Sequence, residues 1–406
     1  MSDVAANEVV EAPAPEPPQP SRTHWVLYRI AAGNALSGVL AVVLAFLVGS
    51  IMIAATDAAV RETAGYFFAR PSDFLKALGT SVGGAYEAMF RGAVFNARAD
   101  TLGAQFRPLT ETLKYAAPLI LAGLGVGVGF RAALFNIGGR GQMLLAGAAA
   151  GWVGFTVNLP AIIHIPLAIL AGIAVGAAWG ALAGLLKART GAHEVIVTIM
   201  LNYVAYYLLL YALSRKFLLQ APGSSNPQSA PMAQSAILPK ILGDQYSLHL
   251  GLLLALVAVA AVWWLLNRST LGYRIRAVGL NPQAARAAGI SVGRTYTQVM
   301  AIAGGLVGMA GVSQVLGTVT SGITADLDAG IGFDAITVAL LGRSRPVGIL
   351  LAGLLFGAFK AGGFTMQSSQ DISVDLVLVV QSLIVLFLAA PPLVRAIFRL
   401  PNKEVL

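Results

Sequence analysis

The chain has no cysteine. Disulfide staples, thiol nucleophiles and thiolate metal sites are therefore excluded, while the compartment stays open. Charge is scarce too. Only 11% of the 406 residues are Asp, Glu, Lys or Arg, against about 25% in a soluble domain. The four histidines, His24, His164, His193 and His249, are scattered without metal-ligand spacing. A chain that hydrolysed ATP itself would need Gly-x-x-x-x-Gly-Lys-Ser/Thr, yet none of the seven lysines precedes Ser or Thr. No Ser, His and Asp fall at a spacing that suggests a catalytic cluster. No segment resembles an ion-selectivity filter. The expectation is a chain that is not an enzyme and binds no cofactor or metal.

Apolar residues fill the space that charge leaves. They make up 57% of the chain, with a mean hydropathy of +0.76. Several runs reach about 20 residues, enough for a helix to cross a hydrocarbon core of about 30 Å. The short alternating strands of a membrane barrel do not occur. The expected fold is an all-α polytopic membrane protein with about ten transmembrane or re-entrant helices.

Residues 1–21 carry Ala-Pro-Ala-Pro-Glu-Pro-Pro-Gln-Pro at 12–20 and read as a disordered, partly polyproline II tail. It lacks a basic n-region, so no cleaved signal peptide is expected. The membrane domain is expected over 22–395, with a short tail at 396–406. Spans are expected near 36–55, 113–130, 143–157, 166–186, 248–266, 298–319, 347–364 and 374–390, with a further one opening at 191–203. The segment 330–342 is too short to cross comfortably and suggests a short or re-entrant helix.

The net charge of +9 collects in particular loops, which points to membrane orientation rather than nucleic acid. Arg22 and Arg29, Arg131, Lys187 and Arg189, Arg343 and Arg345, and Arg395, Arg399 and Lys403 all fall on one side if the spans alternate. That side is expected to be the cytoplasm, with both termini in it. Residues 57–107, with nearly balanced charge, and 214–247, rich in Pro, Ser and Gln, then become outer loops. The former is expected to hold amphipathic helices along the surface.

The inner loop at 267–297 holds Arg268, Arg274, Arg276, Arg286 and Arg294 and no acid. Within it lies a short, well-bounded helix. Asn281 is a good N-cap, Pro282 suits the first helical position, and Gly289 supplies a left-handed stop. Its small face, with Ala284 and Ala285 beside Arg286, suits a groove on another protein. An ordinary loop helix fits the same residues.

Polar residues inside or beside apolar spans are the candidates for a path. Asn136 and Gln142 flank three glycines between two spans. The segment reads either as a simple inner loop or as a broken helix lining a route. Glu194, Thr198 and Asn202 recur every four residues and share one helical face, which avoids lipid. For Glu194 an interfacial pair with Lys187 or Arg189 fits better. Gln314 and Asp334 complete the set. Asp334 fits a helix N-terminus, where negative charge is favoured.

Four segments carry a resemblance. Gly279-Leu-Asn-Pro-Gln-Ala-Ala-Arg-Ala-Ala-Gly-Ile290 resembles the cytoplasmic coupling loop of the permease subunits of bacterial ABC importers, in the branch for ribose-like sugars and nucleosides. Phe135 to Gln142 resembles that branch's Phe-Asn-Ile-Gly-x-x-Gly-Gln motif, with Arg140 where an acid is frequent. His193 to Tyr203 resembles Asn-Glu-Val-Ile-x-Thr-x-Met-Leu-Asn-Tyr, with His193 for Asn. Gly330 to Gly342 resembles Gly-x-Gly-Phe-Asp-x-Ile-x-Val-Ala-Leu-Leu-Gly. The resemblance covers most of 36–392 and is closest to the nucleoside branch. It implies a permease of the bacterial inner membrane whose loop residues Gly279, Asn281, Pro282, Ala284, Ala285, Arg286 and Gly289 couple it to a separate ATP-binding subunit using ATP-Mg. It also implies a second permease subunit of different sequence and an extracytoplasmic solute-binding protein. An ion-coupled secondary transporter is the competing class; its carboxylate would have to be Glu194 or Asp334.

Overall fold

A computed structural model describes residues 34–399. The tail 1–21, Arg22, Arg29 and Lys403 lie outside the described residues. Within them the regular structure is helical: α1 (Asn34–Thr56), α2 (Ala58–Ala64), α3 (Pro71–Ala93), α4 (Leu102–Arg131), α5 (Gly139–Thr156), α6 (Ala161–Thr190), α7 (Glu194–Leu213) and α8 (Gly251–Arg268). Then come α9 (Thr270–Leu280), α10 (Pro282–Ala287), α11 (Val292–Ser313) with a π-helical turn at Gln314–Thr318, α12 (Ile331–Leu341), α13 (Pro346–Gln370), α14 (Val374–Ala389) and α15 (Pro391–Ile397). Among the described residues seven helices are long and apolar enough to cross a membrane, or eight if the bent pair α14 and α15 forms one span. With α5 and the short α12 this matches the expected architecture of about ten elements.

α4 and α11 form the centre. Every α4 residue from Ala116 to Gly129 is buried, as expected of a helix that is apolar on all sides. Glycines at alternate positions, Gly123, Gly125, Gly127 and Gly129, set the packing distance. A Cβ at Gly125 would fall 2.5 Å from the Ala303 carbonyl oxygen of α11. The seam between α6 and α11 is tighter. Gly172, Gly176, Gly180 and Gly184 recur every fourth residue, and a Cβ at Gly176 would stand 2.4 Å from the Gly304 carbonyl oxygen. Backbone meets backbone there, the close approach that small residues permit between membrane helices.

The helix ends sort into two sets. At one end Gly279 abuts the Arg131 carbonyl, Gly127 lies near Ser344, and Gly293 lies near Ala188. This basic end gathers Arg131, Lys187, Arg189, the 267–297 loop and Arg345, so the loops grouped by alternation do meet in space. At the opposite end the 214–250 segment folds back through isolated bridges pairing Gln220 with Ser229 and Lys240 with His249. His164 fastens this loop, with Nδ1 2.9 Å from Ser235 Oγ and Nε2 3.0 Å from the Val153 carbonyl. His249 accepts a hydrogen bond at Nδ1 from the Gly251 amide at 3.1 Å. Burial pushes its imidazolium down to about 4, so the ring is neutral at physiological pH.

One sequence expectation needs correction here, and one choice between alternatives is decided. α3 does not lie flat along the surface. Gly92 packs on Thr365 and Gly362 on Met89, so its C-terminal half leans into α13, because its small residues face inward. α12 is the short helix of the two alternatives, at 11 residues, and does not dip in and return. Residues 319–330 run down beside α5, with Ile323 against Gly151 and Leu327 against Gly147, and α12 continues toward the basic end. It is the helical half of a broken span. In the non-helical half Gly322, Ile323, Leu327 and Asp328 are buried by protein while Ser321, Thr324, Asp326, Ala329 and Gly330 are exposed, and the Ile323 amide donates to Ser229 Oγ at 2.8 Å. Irregular backbone at membrane depth needs protein or a water-filled space beside it.

Candidate functional site

The second break in the bundle lies between α4 and α5. The chain leaves the helix at Arg131, passes Ala133 at φ 53°, and resumes at Gly139. Its freed backbone groups are taken up by α7. Asn202 accepts from the Gly141 amide at 2.8 Å and donates to the Ile137 carbonyl at 2.9 Å. Thr198 Oγ1 accepts from the Ile137 amide at 3.3 Å. Asn136 and Gln142 pair through their amides at 3.2 and 3.3 Å, and Asn136 also accepts from the Gly138 amide at 3.0 Å. The backbone is broken here, but Asn136 and Gln142 bond to each other and to the Gly138 amide rather than facing an open route.

Beside this break lies a cavity of about 310 Å³. Asn202 and Arg140 reach it, together with Tyr203, Tyr206, Tyr207 and Phe333. Tyr203, Tyr207 and Phe333 are 58%, 64% and 50% exposed, so one side of the cavity is open in the single chain. Tyr206 and Tyr207 meet edge to face at 5.4 Å, and the Arg140 guanidinium lies 5.2 Å from the centre of the Tyr206 ring. Arg140 Nε is 3.3 Å from Asp328 Oδ1, a carboxylate that is nearly fully buried. The two breaks are thus tied together by one ion pair, which neutralises charge that would be costly in a membrane. Lys360 of α13 adds a hydrogen bond to the Ala329 carbonyl at 2.9 Å.

Of the six path candidates, only Asn202 lines this cavity. Asn136, Gln142 and Thr198 spend their polar atoms on one another and on the broken backbone. Gln314 is buried at the π turn. Asp334 sits in the first turn of α12, where the helix dipole favours an acid, but the cap is Gly330 and no side-chain cap bond forms. Glu194 pairs with Lys187 at 2.6 Å, as its position suggested. Sequence reading passed over Asp328, Lys360, Phe333 and the tyrosines. The tyrosines had a signal: 203, 206 and 207 share a helical face at i, i+3 and i+4.

Replacing Asn202 with Leu would leave the Gly141 amide and the Ile137 carbonyl without their partner. A buried unsatisfied group costs about 1–3 kcal/mol. Thermal unfolding of the assembled complex should therefore drop by several degrees; an unchanged midpoint would show that Asn202 is not a clamp.

The short loop helix stands apart at the basic end. Asn281 Oδ1 accepts from the Gln283 and Ala284 amides at 2.9 and 3.0 Å. Pro282 is at the first position, and Gly289 turns left-handed at φ 79°. Gln283, Ala284 and Arg286 are exposed. Ala285 is not part of that outer face. It is 4% exposed and packs on Val278 and Val292, anchoring the helix to α9 and α11. Gly279 holds α9 against the end of α4, where a Cβ would fall 2.2 Å from the Arg131 carbonyl oxygen.

Residues 109–389 match the family described as branched-chain amino acid transport system / permease component. The chain is 37% identical over 326 residues to the guanosine ABC transporter permease protein NupP of Bacillus subtilis (strain 168), covering 80% of this chain and 91% of that protein. It is 37% identical over 302 residues to the glucose ABC transporter permease protein TsgB13 of Haloferax volcanii, covering 71% and 77%. It is 34% identical over 310 residues to the nucleoside ABC transporter permease protein NupB of Lactococcus lactis subsp. cremoris (strain MG1363), covering 75% and 82%. No solved structure matches the chain.

Proposed function

The chain belongs to the branched-chain amino acid transport system / permease component family, and on that premise we propose that it forms half of the translocation pathway of an ATP-driven importer for nucleosides or a related sugar-containing solute. The observation that carries this reading is the half-open aromatic cavity beside the two broken spans. Tyr203, Tyr207 and Phe333 offer flat faces to a base or sugar ring, while Asn202 and Arg140 supply a few polar groups. A mostly apolar pocket with a few convergent polar groups is the usual form of a small-molecule site. A second permease subunit closes the open side. The basic end faces the cytoplasm of a bacterial inner membrane, and a solute-binding protein delivers cargo at the opposite end. The exposed face of α10 seats on a separate ATP-binding subunit, which holds ATP-Mg. Closure of that subunit pushes α10, and α9 passes the movement to α4. The pathway then alternates between two rigid packings.

Stacking of a base on an aromatic side chain contributes about 1–3 kcal/mol. Tyr207→Ala in the reconstituted complex should therefore lower nucleoside uptake at limiting concentration roughly fivefold or more. The ATPase rate without solute should stay as in the wild type. Unaltered uptake kinetics would remove this cavity from the route.

A further inference from the structure

A second cavity, of about 410 Å³, lies at the basic end where α4, α8, α9 and α13 converge. Arg131, Arg276 and Arg345 line it, and no lining residue is acidic. Arg131 lies in the repulsive field of the other two. Its Nε donates to the Ser344 carbonyl at 2.9 Å, but among the described residues none of the three has a carboxylate partner. Arg276 Nη1 is sealed from solvent with no acceptor. Such a group is costly unless something fills the gap. Two other enclosed cations are paired, Arg140 with Asp328 and Lys187 with Glu194. The N-terminus of α13 also opens here, at Pro346 and Val347, and a helix N-terminus favours an anion.

The rim tells where that anion comes from. Trp263 and Val347 line the cavity and are 45% and 56% exposed. Trp263 lies near the end of an apolar membrane helix, the level at which tryptophans sit among headgroups. The occupant is therefore both anionic and membrane-borne. We propose that the cavity binds the phosphate of an anionic phospholipid, held by Arg276 and Arg345 with Arg131 behind them. Guanidinium forks match phosphate oxygens in geometry, and basic pockets between membrane helices at the cytoplasmic face take lipid headgroups. The proposal rests on the membrane placement given above and not on which solute is carried. Arg276 is on α9, the arm that leads to α10, whereas Arg131 and Arg345 belong to the bundle. A bound phosphate ties the arm to the bundle and relieves the repulsion between them, so coupling depends on the lipid.

The test uses the assembled importer, permeases with ATP-binding subunits, in nanodiscs of phosphatidylcholine with or without phosphatidylglycerol. Thermal stability and lipid retained in native mass spectrometry are the readouts. Wild-type complex should retain phosphatidylglycerol selectively and melt at a higher temperature with it. No selectivity in the wild type, which needs no variant, overturns the proposal. The double variant R276Q/R345Q should bind phosphatidylglycerol roughly tenfold or more weakly, from the attraction of each basic side chain to anionic lipid. Arg343→Gln, next to but outside the cavity, should bind as wild type. Equal affinity in the double variant overturns the proposal. Inorganic phosphate giving the full stabilisation without lipid replaces the lipid source with a free anion. Binding seen only after the ATP-binding subunit is removed assigns the cavity to an acidic side chain of that subunit instead.

Discussion

Gly176→Val is expected to keep the bundle from assembling. The first carbon of the new side chain would stand 2.4 Å from the Gly304 carbonyl oxygen and 2.9 Å from the Gly308 Cα. Both are backbone atoms of α11, so no rotamer change relieves the clash. The helices must separate, and the glycine contacts above and below are lost with them. Overpacking a core usually costs about 1–3 kcal/mol and occasionally more; here the obstacle is backbone, so the cost is expected at or beyond the top of that range. Size-exclusion profiles and melting temperatures of the detergent-solubilised complex check this. Gly79→Val is the control, since a Cβ at Gly79 meets nothing within 4 Å. If both variants assemble and melt alike, the α6–α11 seam does not hold the fold together.

Ala284→Trp is expected to weaken docking of the ATP-binding subunit, and with it uptake, without disturbing the bundle. Ala284 is exposed on α10, and its amide is already capped by Asn281. A Trp there leaves the loop's own packing intact but cannot enter a groove shaped for a methyl group. A misfit of about 1–3 kcal/mol corresponds to roughly 5- to 150-fold weaker docking. Solute-stimulated ATPase activity and uptake should fall together by a factor in that range, with unchanged melting of the permease. Ala285→Trp is the instructive contrast. It buries a large ring against Val278 and Val292, and so damages the loop itself. Normal uptake by A284W would place the docking surface elsewhere.

The sequence made the spans, the basic end and the capped loop helix legible because each rests on local chemistry. Apolar length marks α6 and α8, arginine runs mark one side, and Asn281, Pro282 and Gly289 mark a helix start and stop. The partner of Glu194 was also within reach, since Lys187 lies seven residues away across a single turn. What escaped was long-range. Nothing in the neighbourhood of Arg140 announces that Asp328, 188 residues later, will meet it. Whether Ala284 or Ala285 faces outward depends on how α10 folds back on α9 and α11, and six residues, half of them alanine, carry no apolar stripe to decide it. Asn136 and Gln142 looked like path residues because polar groups in a membrane must face protein or water. The sequence could not say which, and they face protein. The same rule identifies the tyrosines of α7, whose shared face opens on the cavity.

The most direct test reconstitutes the purified permease in liposomes with and without its ATP-binding subunit, under ATP and under H⁺ or Na⁺ gradients, and measures accumulated nucleoside. Accumulation against a gradient is predicted only when both the ATP-binding subunit and ATP are present. Concentrative uptake by the permease alone under an ion gradient would contradict a pathway driven through α10.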